Sequence, residues 1–186
     1  MRFGLVKASV SIVVLYTTMA LTAASLTLQE QAMSDIKQAG VNYLRNRGNT
    51  QSKGNLGIAI YQAYQDMEQK DADKILQNIS RRLATTLSQL NQLDTFLSQY
   101  LPNIKHATPS LDILEPKDLV EAEELLTNAA RSLIENTSKA TKNCLDCAIC
   151  TAFEHDVTEA KIIKVAHDVI LSLSIVKQLD TIASRG

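Results

Sequence analysis

The chain has 186 residues, of which 45% are hydrophobic and 21% are charged, and its formal net charge at pH 7 is −1. That length suits one domain with a real core after a short leader. Acidic and basic residues nearly balance and Trp is absent, which argues against a phosphate-backbone partner and against base stacking, so we predict no nucleic-acid binding. The few Gly and Pro residues favour a helical chain over a turn-rich β-protein.

A leader is predicted over residues 1–25. Arg2 and Lys7 precede an uncharged run from Ala8 to Leu28, and this order is typical of an export signal. The run is also long enough to cross a bilayer if it is kept as an anchor, which would give the protein a membrane contact. A cleaved signal peptide and an uncleaved anchor both place residues 26–186, the helical-bundle domain, outside the cytoplasm. A buried core helix is the third interpretation.

Helical spacing begins directly after the leader. Gln29 to Arg47 is predicted to be a first helix, and Leu56 to Gln69 a second. Residues 48–55 have turn chemistry and no apolar period, so we expect an exposed loop. A small basic spot at this loop is interpreted as a solvated surface or as a contact point for an anionic surface. It consists of Arg45, Arg47 and Lys53.

The longest amphipathic segment, Asp71 to Leu101, is predicted to form the spine of a bundle. Counted in sevens, its apolar seam is interrupted only by Thr86. Either Asp71 caps a new helix, or one helix runs through from Leu56. The seam contains Leu76, Ile79, Leu83, Leu90, Leu93 and Leu97.

Pro102 ends the spine, and the apolar connection that follows is expected to lie across the end of the bundle. Pro116 suits the first turn of the next helix. Small residues within the seam of that helix, such as Ala122 and Ala129, would allow a close approach to a neighbour.

The last helix is predicted to begin near Asp156, with Asp156 and Glu159 as a capping box, and to run to about Ile182. Its segment from Val169 to Val176 is apolar nearly all round. That pattern is typical of a helix that lies between neighbours or under another subunit.

Three cysteines, Cys144, Cys147 and Cys150, are spaced three apart, and His155 follows them. In an exported chain, one Cys-x-x-Cys pair would close a disulfide and leave one free thiol. Alternatively, three thiolates and His155 would supply the three sulfurs and one nitrogen that suit a zinc ion. In the third interpretation the cysteines are small buried residues that close a turn between two helices.

Together these elements predict an all-α protein: an antiparallel bundle of four to five helices with one long, coiled-coil-like spine after the apolar leader. The sequence contains no Gly-rich phosphate loop, His-Glu-x-x-His pair or nucleophile elbow, and no catalytic residue is assigned. The leading hypothesis is therefore a non-enzymatic, exported or membrane-anchored bundle that binds another protein or itself. The alternatives are a thiol-redox or metal-binding protein centred on the cysteines, and a carrier of an apolar ligand between helices.

Overall fold

The computed structural model describes residues 28–100 and 115–185. Within these ranges the chain forms six α-helices and no strand, so the predicted all-α helical bundle is confirmed. The leader predicted over residues 1–25 and the segment 101–114 lie outside the described residues. The first helix, α1, covers residues 28–45. The others are α2 (Thr50–Asp66), α3 (Gln69–Tyr100), α4 (Leu119–Glu135), α5 (Lys139–Glu154) and α6 (Glu159–Ala183).

Helices joined by short turns are antiparallel. Tyr64, near the end of α2, donates a hydrogen bond to Asp73, near the start of α3. Residues 136–138 turn the chain directly from α4 into α5. Helix α5 is also antiparallel to α3. Lys142 near the start of α5 forms an ion pair with Asp94 near the end of α3. Since α3 and α4 both oppose α5, these two helices run in the same direction.

The last helix also runs parallel to α3. At its start, Glu159 forms an ion pair with Arg81 in the middle of α3. Eleven residues later, Ile170 lies beside Leu87 and Phe96, farther along α3. The fold therefore consists of two up-down-up triplets, α1–α2–α3 and α4–α5–α6, with α5 packed against helices of both triplets.

The exposed loop predicted over residues 48–55 is shorter in the structure. Gly48 lies in the turn between α1 and α2 with φ +86, a left-handed conformation that glycine adopts without strain. Asn49 then caps α2 at once, because its side chain accepts a hydrogen bond from the backbone N–H of Gln51. The first turns of α2 are largely exposed, which is why this part of the sequence shows no apolar period.

The predicted spine corresponds to α3, a helix of 32 residues. Met67 has extended backbone angles, so α2 and α3 are separate helices rather than one rod. Thr86, which interrupts the seam, is also buried, and its hydroxyl donates to the carbonyl oxygen of Arg82 at 2.9 Å. Leu83 is half-buried, and the other seam residues lie in the core: Leu76, Ile79, Leu90, Leu93 and Leu97.

The described residues contain one helix more than the four to five predicted. The additional helix, α5, covers the cysteine region, for which a turn between two helices was one of the three interpretations. It begins with a capping box: the Thr141 backbone N–H donates to the Ser138 hydroxyl, and the Ser138 backbone N–H donates to the Thr141 hydroxyl. Its inward face has the helical spacing i, i+3, i+4, i+7, i+8. These inward residues are Leu145, Ala148, Ile149, Ala152 and Phe153.

The start of α6 also differs from the prediction. Thr158, rather than Asp156, is the N-cap, and its side chain accepts from the backbone N–H of Lys161. Asp156 instead has φ 61 in the turn after α5, a left-handed conformation that Asp tolerates better than most residues. The predicted Asp156–Glu159 capping box is therefore wrong. Asp156 lies within the turn between α5 and α6, two residues before the N-cap of α6.

None of the helices in residues 28–100 and 115–185 combines the length and apolar character that crossing a bilayer requires.

Candidate functional site

The cysteines all lie on α5, where they form a ridge along one side of the helix. Cys144 and Cys147 are half-buried, and Cys150 is buried, with 1% of its surface exposed. Of the three interpretations of these residues, the small buried residue describes Cys150 best, although the cysteines belong to a helix rather than to a turn.

All three cysteines are free thiols in the structure, so the predicted disulfide is not formed. Helix geometry explains this result. Residues three apart on an α-helix place their Cβ atoms about 5–6 Å apart, whereas an unstrained disulfide needs about 3.5–4.5 Å. A bond between Cys144 and Cys147, or between Cys147 and Cys150, would require α5 to unwind locally.

Burial suppresses the reactivity of this ridge. Desolvation raises the pKa of Cys144 and Cys147, and it raises the pKa of Cys150 to about 12. Nearby Arg45 offsets only part of this effect at Cys147 and Cys150. Because the thiolate is the nucleophile and the metal ligand, these protonated thiols are poorly placed for redox chemistry.

The proposed zinc ligands are not brought together. His155 is the C-cap of α5, five residues beyond Cys150, which corresponds to roughly 140° around a helix axis. Across residues 28–100 and 115–185, no three His, Cys, Asp or Glu side chains are grouped so that they could hold a metal ion.

A partly buried charge network, which no local sequence pattern indicates, joins the turn between α1 and α2 to α3 and α5. Arg47 Nη2 lies 2.8 Å from Asp94 Oδ2 and 3.3 Å from Asp146 Oδ2. Lys142 Nζ lies 2.7 Å from Asp146 Oδ2 and also contacts Asp94. The small basic spot predicted at residues 45–53 is therefore wrong for Arg47, whose guanidinium faces these two aspartates.

The energetics of this network indicate a structural role. Burial raises the pKa of Asp146, and the neighbouring Lys142 and Arg47 only partly offset it. Burial alone would lower the pKa of Lys142, but Asp146 and Asp94 more than compensate, so it is raised. The cations therefore stay charged and bind the carboxylates, which ties the turn after α1 to α3 and α5. The second carboxylate oxygen of Asp146, Oδ1, is buried without a hydrogen-bond partner among the described residues.

Asp156 anchors a second set of contacts at the other end of α5. Its carboxylate accepts hydrogen bonds from Lys37 at 2.7 Å and from Arg82. The Arg82 guanidinium also donates to the carbonyl oxygen of Phe153 at 3.2 Å, and it lies 5.2 Å from the centre of the Phe153 ring. Asp156, which was predicted to cap a helix, thus joins α1 and α3 to the end of α5.

The two halves of α6 present their apolar residues in different directions. In the first half, Ile162, Ala166, Val169 and Leu173 are buried. Beyond them, every residue from Ile175 to Arg185 is exposed. Four exposed aliphatic residues are spaced i, i+4, i+8, i+11 and form one row from the middle of α6 to its end, here called the α6 stripe: Leu171, Ile175, Leu179 and Ile182. Val176 is exposed as well but lies outside this row.

The α6 stripe lies roughly 140° around the helix axis from the buried face of the first half. Leu179 is 59% exposed and Ile182 is 68% exposed. On the same outward side, the first half of the helix carries Lys164 and Asp168, which form an ion pair. The second half of α6 therefore does not lie between neighbours within the part of the chain that the structure describes.

An open groove of about 720 Å³ runs along α3 beside Ile170 of α6. Leu87 and Phe96 are among the apolar residues that line it, and Asn91 and Gln99 are among the polar ones. Sites for small ligands usually enclose most of the ligand surface. This groove is open to solvent along its length, and the carrier of an apolar ligand stays a prediction.

Comparison of the chain with protein-family models, with curated proteins and with solved structures gives no match.

Proposed function

We propose that this protein is a non-enzymatic, exported or membrane-anchored helical bundle that acts by binding protein through the α6 stripe. One observation carries the proposal: a regular helix continues through nine consecutive exposed residues, 175–183, while one side of it is aliphatic. Single exposed apolar residues are ordinary on protein surfaces. A contiguous row at helical spacing is the pattern with which an amphipathic helix enters a groove or pairs with another helix.

Charge around the α6 stripe favours a protein over a lipid surface. Helices that lie on membranes combine an apolar face with a face rich in Lys and Arg, and often with Trp. In the second half of α6, Lys177 is balanced by Asp180, and the chain has no Trp.

Placement outside the cytoplasm rests on the leader sequence. The basic start and the uncharged run after Lys7 support export, either with cleavage or with retention as an anchor. In this proposal the leader directs the chain out of the cytoplasm, and the bundle exposes the α6 stripe to its partner.

The proposal is tested by measuring the native mass of the chain recovered from the cells that produce it. We expect the wild-type protein in a complex heavier than one chain, and Leu179→Glu in a lighter one, because a carboxylate in an apolar contact is costly. Ile58→Glu is the matched control, since Ile58 on α2 is 57% exposed and Leu179 is 59% exposed. A monomeric wild-type chain, or equal losses in both variants, would contradict the proposal.

A further inference from the structure

We infer that the partner of the α6 stripe is the α6 stripe of a second copy, paired antiparallel about a two-fold axis. This inference rests on the proposed function and names its partner. It is carried by the spacing of the stripe, by the charges at its two ends and by the position of the stripe relative to the core.

The spacing of the stripe is complementary to itself. If Ile175 of one copy is laid opposite Leu179 of the other, two-fold symmetry places Leu179 opposite Ile175 as well. The same register brings Ile182 next to Ser172 and Leu171 near Ala183, a small residue that leaves room for the leucine. Two central aliphatic layers thus form at the a and d positions of an antiparallel helix pair.

The charges select the antiparallel direction. In this register Asp168 of one copy lies within about one residue of Arg185 of the other, and Arg185 directly follows the C-cap of α6. A parallel pair would instead set Asp168 beside Asp168 and Arg185 beside Arg185. Opposite charges at both ends favour the first arrangement, and like charges disfavour the second. Asp168 keeps its ion pair with Lys164 of the same helix, so Arg185 of the second copy would be a further partner for it.

Within residues 28–100 and 115–185, the bundle leaves the α6 stripe uncovered for this pairing. The stripe points away from the buried face of α6, which contains Val169 and Leu173, so a second helix does not compete with the core. Antiparallel pairing also places the two bundle bodies at opposite ends of the shared segment. The contact covers about three helical turns on each copy, and an interface of this size gives a weak, reversible dimer.

Sedimentation equilibrium of the full chain, as the producing cells process it, tests the inference. Reducing agent is present so that intermolecular disulfides do not contribute. We expect a monomer–dimer equilibrium whose dissociation constant rises about tenfold or more in Leu179→Glu. Ile58→Glu should leave the constant unchanged. A chain that is monomeric at every concentration, or a dimer that Leu179→Glu leaves intact, would overturn the inference.

A charge exchange tests the direction of pairing. Asp168→Arg and Arg185→Asp should each weaken the dimer several-fold, because each single variant sets like charges against each other at both ends of the pair. The double variant should recover the dimer, since it restores opposite charges at both ends with their positions exchanged. Failure of the double variant to recover would contradict antiparallel pairing.

The result also separates this inference from the proposed function. A monomeric pure chain whose complex in the producing cells is still lost in Leu179→Glu would mean that the stripe binds a different protein. In that case the self-pairing is wrong and the proposed function stands. A stripe already covered by residues 101–114 of the same chain would appear as a monomer that Leu179→Glu does not affect in either measurement, and it would contradict both.

Discussion

In helix α5 and in the second half of α6, the surroundings of the residues differ from what their residue types suggest. The first holds every cysteine of the chain, yet its inward face is packed in the core, and burial raises the pKa of each thiol. The second holds ordinary aliphatic residues, yet these are exposed along one side of a helix. Reactivity and binding therefore depend on what surrounds a residue more than on its type.

The sharpest contrast between the two regions should appear in stability. Phe153 on α5 is 1% exposed and Leu179 is 59% exposed. We expect Phe153→Ala to lower the free energy of unfolding by about 3–5 kcal/mol, because it removes a large side chain from the core. Leu179→Ala should change it by less than about 0.5 kcal/mol. Urea titration followed by circular dichroism, at a concentration where the chain is monomeric, measures both, and similar losses would break the comparison.

The second effect concerns the cysteine ridge. Cys150→Ser places a hydroxyl at a buried position, and an unsatisfied buried hydroxyl costs about 1–3 kcal/mol. Cys150→Ala should cost less, since it removes volume without adding a polar group. The same unfolding measurement distinguishes the two variants. A Cys150→Ser variant that is as stable as the wild type but has lost the cellular function would indicate that the Cys150 thiol has a chemical role.

The third effect concerns pH at the end of α5. Burial alone would raise the pKa of Asp156, but hydrogen bonds from Lys37 and Arg82 more than offset this, so the pKa lies below its ordinary value. The group therefore contributes stability above its unfolded pKa, near 4, and this stability is lost as pH falls through the folded pKa. Asp156→Asn keeps a residue that tolerates positive φ and should cost about 1 kcal/mol or less at pH 7.

The difference between the wild type and Asp156→Asn should shrink as the pH is lowered from about 5 to about 3, as measured by thermal unfolding. Asp66→Asn, with the same charge change at the exposed end of α2, is the control. A difference that stays constant with pH would show that the Asp156 ion pairs contribute little.

The sequence predicts most of the fold because its strongest signal is helical periodicity. Helical periodicity predicts the seam of α3, and it also predicts the main helices before and after α3 in the chain. The spacing of Leu145, Ala148, Ile149, Ala152 and Phe153 also contained the signal for α5. This signal is weak because two of the five residues, Ala148 and Ala152, are small, and because the closely spaced cysteines are equally compatible with a turn.

The rest depends on contacts between residues far apart in sequence. Arg47 meets Asp146 across 99 positions, and nothing local distinguishes it from a solvated arginine. The sequence likewise shows that α6 is apolar around Val169 to Val176. Which side meets the core, and where the helix leaves the core, follows only from how α3 and α4 pack against it.

Hydrogen exchange measured over a range of protein concentrations tests the central claim most directly, because it reports α5 and α6 in one experiment. We predict that the amides of α5 are protected at every concentration. The amides of residues 175–183 should exchange rapidly in dilute solution and become protected as the concentration rises. Protection of residues 175–183 that does not change with concentration, or rapid exchange in α5, would contradict the account.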